Sequence, residues 1–167
     1  MPQDFLDNHP VDQDGLITLS TDYVDVMPVR EYARNAQTRR ALVALDGDLA
    51  WPENESVLAE LLAVRAERAS LLGYTDWADY ETETRMIGSG AEVASFLRRL
   101  AAASEPAVPA EYDQLLARLR RDDPGATEVT VADFWYLVGA LKAENHGVDA
   151  QEVRSYFSFD NVLPGVL

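Results

Sequence analysis

A helical period broken by well-formed stops leaves this chain few folds to choose from. Ser89-Gly90-Ala91-Glu92 carries the Ser-x-x-Glu spacing of a capping box, and Val93, Phe96, Leu97 and Leu100 follow at i, i+3, i+4 and i+7. Tyr112, Leu115, Leu116 and Leu119 repeat that spacing until "DDPG" (122–125) breaks the chain. Upstream, Asn35 is placed to cap a helix through Arg40 and Ala41 that Asp46-Gly47 interrupts. Asn54 caps the next, in which Leu58, Leu61, Leu62, Ala69 and Leu72 share one face, and Gly73 supplies a left-handed stop. Thr75 is the expected cap of a short helix through Trp77 and Tyr80. Thr130 caps a helix that turns Phe134, Leu137, Val138 and Leu141 inward, with Gly147 beyond its end. Asp149 caps the last, with Val153, Tyr156 and Phe157 on one side.

The predicted fold is therefore all-α, an irregular bundle of about six or seven helices with a short extended N-terminal segment. Residues 1–14 are polar, contain a proline and an Asp-Gly turn signal, and read as a flexible arm; residues 15–167 form the helical domain. "GLITLSTDY" (15–23) is the one stretch with strand-like alternation, and it serves equally as an extended lead-in. The helical period dominates from Pro28 onward, and no fixed repeat separates the helices, which excludes a solenoid.

Charge and composition exclude several functions. With 29 acidic against 14 basic residues the net charge is −15, which repels phosphate, so neither nucleic acid nor an anionic membrane is an expected partner. The absence of cysteine removes disulfides, thiolate nucleophiles and zinc–cysteine sites. "MPQDFLDNHP" lacks the basic-then-apolar pattern of a signal peptide, and a cytoplasmic location is the expectation.

Catalytic constellations are also missing. His9 and His146 are the only histidines and nowhere near the spacing of H-E-x-x-H, so no metal ligand and no catalytic residue is predicted. "PVDQDG" (10–15) fails as a calcium loop, because Pro10 and Thr21 fall where the register demands acids. Ser89 in "GSG" is a helix cap, not a nucleophile on an elbow. The acid pairs Asp76/Asp79 and Glu81/Glu83 read as solvated faces. Phe134, Trp135 and Tyr136 read as core and helix flank.

"LAVRAERASLLGYTDWADYETETRMIGS" (62–89) nevertheless carries an ordered set of residues: Leu62, Arg65, Glu67, Ala69, Leu71, Leu72, Gly73 and Tyr74, then Ala78 and Tyr80, then Met86 and Ser89. This series resembles a segment of the thimet oligopeptidase and oligoendopeptidase family of zinc metallopeptidases. The lead-in "LITLSTDYVDVMPVREYARNAQTRRAL" and the closing Tyr156, Phe157, Val162 and Gly165 are similar to that family as well. The resemblance implies a hydrolase of short peptides whose zinc sits on an H-E-x-x-H helix that this chain lacks. It implies that these helices wall a peptide channel, with the remainder of the peptidase as partner, and that this chain alone is inactive. Arg65, Glu67, Gly73, Tyr74, Trp77 and Tyr80 are then structural motif positions. Gly73 is expected to turn the chain so that Trp77 and Tyr80 pack back on the preceding helix, with Arg65 partly buried against a carboxylate. The rival reading is a stand-alone helical module that binds peptides or proteins on a peptidase-derived scaffold.

Overall fold

Ten helices and no strand make up the described residues of the computed structural model, which are 1–147 and 150–166. In chain order the first five are α1 (Gln3–Asn8), α2 (Tyr23–Tyr32), α3 (Ala36–Gly47), α4 (Glu55–Leu71) and α5 (Trp77–Thr82). They are followed by α6 (Gly90–Ser104), α7 (Val108–Asp122), α8 (Val131–His146), α9 (Ala150–Tyr156) and α10 (Phe159–Val166). The fold is all-α. The expected cap Asp149 lies outside the described residues. Among those residues no helix is long and apolar enough to cross a membrane.

The helices form two compact units, residues 1–47 with 112–167, and residues 48–111. In the first, α2, α3 and α8 pack against one another. Phe5, Val26, Val29 and Leu42 form its buried cluster, with Leu19 and Ala33 alongside. The stretch read as a flexible arm thus contributes α1, whose Phe5 joins that cluster. Among the described residues the strand-like segment has no strand to pair with, and it serves as a lead-in to α2 up to Asp22. Helix α2 begins at Tyr23, ahead of the expected Pro28, which lies in its interior.

Local punctuation is read well elsewhere. Asn35 Oδ1 accepts the backbone N–H groups of Gln37 (2.8 Å) and Thr38 (3.3 Å), which starts α3. Ser89 accepts the N–H of Glu92 at 3.2 Å, and Gly147 closes α8 at φ 61°.

The apolar faces read from the period are in large part exposed. In α4, Ala69 is buried, whereas Leu58, Leu61, Leu62 and Leu72 are between 43% and 55% exposed. Phe96, Leu97 and Leu100 on α6 and Phe134 on α8 are also exposed, as are Val153, Tyr156 and Phe157 at and just beyond α9. Periodicity shows that a helix has a face to bury and says nothing of what lies opposite.

Candidate functional site

The most completely built polar arrangement joins α3 to α8. Arg39 on α3 is 1% exposed and Asp133 on α8 is fully buried. Arg39 Nη2 donates to Asp133 Oδ1 at 2.7 Å, and Nε donates to the Ala132 carbonyl at 3.1 Å. Nη1 donates to the carbonyls of Ala33 (2.7 Å) and Arg34 (3.2 Å), just past the end of α2. The guanidinium lies 4.3 Å from the centre of the Tyr136 ring. Asp133 is also the third residue of α8, and its Oδ2 accepts the Thr130 hydroxyl (2.6 Å) and backbone N–H (3.2 Å). Burial works to raise the Asp133 carboxyl, and the Thr130 and Arg39 hydrogen bonds outweigh it and hold the group below the usual carboxylate range. Both oxygens are taken, so the pair is a frame and has no free edge for a substrate. Sequence reading missed it because its two halves are 94 residues apart. The available signal was Asp133 at the third position after a threonine cap.

Beside this frame lies a cleft of about 540 Å³ whose lining includes Glu31, Tyr32, Arg34, Trp135, Tyr136 and Lys142. Phe134, expected in the core, is 42% exposed, whereas Leu137, also expected inward, is fully buried; Trp135 stays on the flank as expected. Ala132, Asp133 and Leu137 form the buried side of α8, and Phe134 and Trp135 turn outward.

The motif residues gather in the second unit. Helix α4 ends with the Tyr74 N–H on the Ala69 carbonyl (2.9 Å) and the Gly73 N–H on the Ser70 carbonyl (3.0 Å). That double closure puts Gly73 at φ 85°, where a side chain is strained. Asp76, one residue beyond the expected Thr75, caps α5 by accepting the Asp79 N–H at 2.9 Å. A carboxylate outcompetes the threonine because it accepts more strongly at a positive helix end. Trp77 is half-buried, with the guanidinium groups of Arg65 and Arg68 at 5.3 and 5.7 Å from its ring. Arg68 also donates to the Tyr80 hydroxyl at 2.7 Å, and the Tyr74 hydroxyl donates to Glu83. The Glu83 hydrogen bond raises the Tyr74 phenol above its ordinary value.

Arg65, Tyr74, Trp77 and Tyr80 are therefore brought together, while Glu67 stays exposed on α4. Arg65 departs from expectation. It is exposed, and among the described residues its contact is the Trp77 indole and not a carboxylate. The packed ring offers a diffuse negative face without the cost of burying an ion pair. Helix α6 closes on α5 through the Gly90 N–H, donated to Asp79 Oδ1 at 3.0 Å. A Cβ at Gly90 would stand 3.0 Å from that of Ala78 and 3.1 Å from Asp79 Oδ1, so a larger residue would have to push one of them back by a few tenths of an ångström.

Residues 29–167 match the sequence pattern of Peptidase family M3. The chain belongs to that family. A thimet-like oligopeptidase of Dictyostelium discoideum is 28% identical over 99% of this M3 chain and 26% of its own length. Saccharolysin of Saccharomyces cerevisiae is 32% identical over 87% of the chain and 21% of its own length. Oligopeptidase A of Haemophilus influenzae is 26% identical over 86% and 21%. The M3 chain thus spans about a quarter or less of these relatives.

Proposed function

We propose that these helices are a non-catalytic wall segment of a zinc-dependent oligopeptidase, lining a channel that admits short peptides and excludes folded proteins. The observation that carries this reading is the M3 match across residues 29–167, in relatives about four times as long. The apolar faces of α4 and α6 support it, since Leu58, Leu62, Leu97 and Leu100 are surfaces that further protein would cover. Rigid, capped helices suit a wall, which needs shape and no ionisable catalyst.

Zinc is the metal this reading implies for the whole enzyme, and the residues described here do not fit it. Among them no three His, Asp or Glu side chains converge. Both His9 nitrogens are engaged, by the Phe5 carbonyl and the Asp25 carboxylate. No step of peptide hydrolysis is therefore assigned to this chain.

Reading the coding DNA past Leu167 tests the proposal directly. An open frame carrying H-E-x-x-H supports it, and a stop codon with no such motif downstream overturns it. Calorimetric titration of the 167-residue chain with mixed short peptides adds a second check. Weak or absent binding is expected of an isolated wall; tight binding without cleavage marks a stand-alone binding module.

A further inference from the structure

His9, which sequence reading left without a role, is held in a way that fixes its charge. Its Nδ1 lies 2.7 Å from the Phe5 carbonyl oxygen and its Nε2 lies 2.9 Å from Asp25 Oδ1. A carbonyl and a carboxylate oxygen only accept, and a neutral imidazole has a single N–H to give. Both bonds are made together when the ring is an imidazolium. Asp25 is in turn fixed as an anion, because its Oδ2 accepts both the backbone N–H (2.7 Å) and the hydroxyl (2.8 Å) of Ser20. The ion pair is largely shielded, with side-chain exposures of 16% and 12%. The imidazole also stacks on Phe5, ring centres 4.2 Å apart, and Phe5 plugs the cluster of Val26, Val29 and Leu42.

We propose that α1 is a strap across α2, latched by protonated His9 on Asp25 and released when that proton leaves. Loss of the proton removes one of the two hydrogen bonds and the ion pair at once. Release of the strap withdraws Phe5 from its slot and removes Pro2, which lines three neighbouring clefts. The other ionisable groups around His9 are Asp4 on α1, Tyr23, Glu31 and Tyr32 on α2, and Arg154 on α9. Arg154 is engaged by Asp4 at 2.8 Å, and among the described residues only Phe5 and Asp25 bond the imidazole.

The Phe5 carbonyl, with Asp25, raises His9 above the ordinary value of 6.5. Its contribution is complete below 6.5 and lost as pH rises through the folded value. The Ser20 bonds lower Asp25 below 3.8, so its contribution is complete above 3.8 and lost as pH falls through its own folded value. The latch is fully engaged between the two.

The test is amide hydrogen exchange of the 167-residue chain, expressed as protection factors, between about pH 5.5 and about pH 8.5, a range that spans histidine titration. The α1 amides, among them Leu6 on the Pro2 carbonyl, should lose protection at the higher pH while those of α8 do not. His9→Gln should abolish that pH dependence, and in Asp25→Asn the His9 proton resonance should titrate at lower pH than in the parent. Should Asp25→Asn fail to fold through loss of the Ser20 bonds, His9→Gln still decides. Equal protection at both pH values, or an undiminished pH dependence in His9→Gln, overturns the proposal.

Discussion

Arginine meets an aromatic ring in both units, with opposite consequences. In the first, Arg39 is buried over Tyr136, makes four hydrogen bonds and closes on a buried carboxylate. In the second, Arg65 and Arg68 lie over a half-buried Trp77 on an open surface. The same pair of chemical groups makes a rigid frame where water is excluded and a compliant brace where it is not. Desolvation decides: a buried ion must be fully paired, and an exposed one need not be.

The largest effect should come from opening the buried frame. Asp133→Ala leaves Arg39 charged and unpaired, at a cost of about 3–5 kcal/mol, read as a shift in the urea midpoint. Replacing both partners, as Arg39→Met with Asp133→Leu, should cost less than the sum of the single changes, since no orphan charge remains. Acid should mimic the single variant. The Asp133 carboxyl is held below its ordinary 3.8, so its stabilisation is present above that value and is lost as pH falls through the folded value. If the double change costs as much as the single changes added together, the ion pair is not what braces α3 against α8.

Next in size is Trp77→Ala. Full burial would make it a core deletion of about 3–5 kcal/mol, but the ring is half-buried, so about 1–2 kcal/mol is expected in a thermal melt. An unchanged melting temperature with altered peptide affinity would move Trp77 from packing to the channel surface. Gly73→Val should follow, at about 1–2 kcal/mol, from forcing a β-branched residue to φ 85°. Nothing lies within 4 Å of a Cβ built at Gly73, so the cost is backbone strain alone and Gly73→Asn should recover most of it.

These positions also show what the sequence could and could not reveal. Caps and stops are local, and Asn35, Ser89, Thr130, Gly73 and Gly147 were legible because each acts on a backbone group within a few residues. Helix α1 was not, because a six-residue helix has too few turns to show a period and is held by Phe5 from outside itself. Arg39 and Asp133 meet only after α3 and α8 pack, and no spacing records that. The leucine face of α4 was legible as a face, and its exposure was not. Its exposure in this chain is what the wall proposal accounts for.

The smallest effect tests the exposed side of the comparison. Tyr80→Phe deletes the hydroxyl that accepts the Arg68 hydrogen bond at 2.7 Å and leaves the ring, with Arg68 5.0 Å from its centre. Because Arg68 is exposed, water replaces the lost oxygen, and the change should cost about 0.5 kcal/mol or less. Thr130→Val deletes a hydroxyl of similar geometry, 2.6 Å from the fully buried Asp133, and should cost about 1–3 kcal/mol. Urea unfolding of the two variants side by side measures the difference directly. Equal losses would mean that the α4–α5 corner is as shielded as the α3–α8 frame, and the contrast drawn between the two arginine sites would fail.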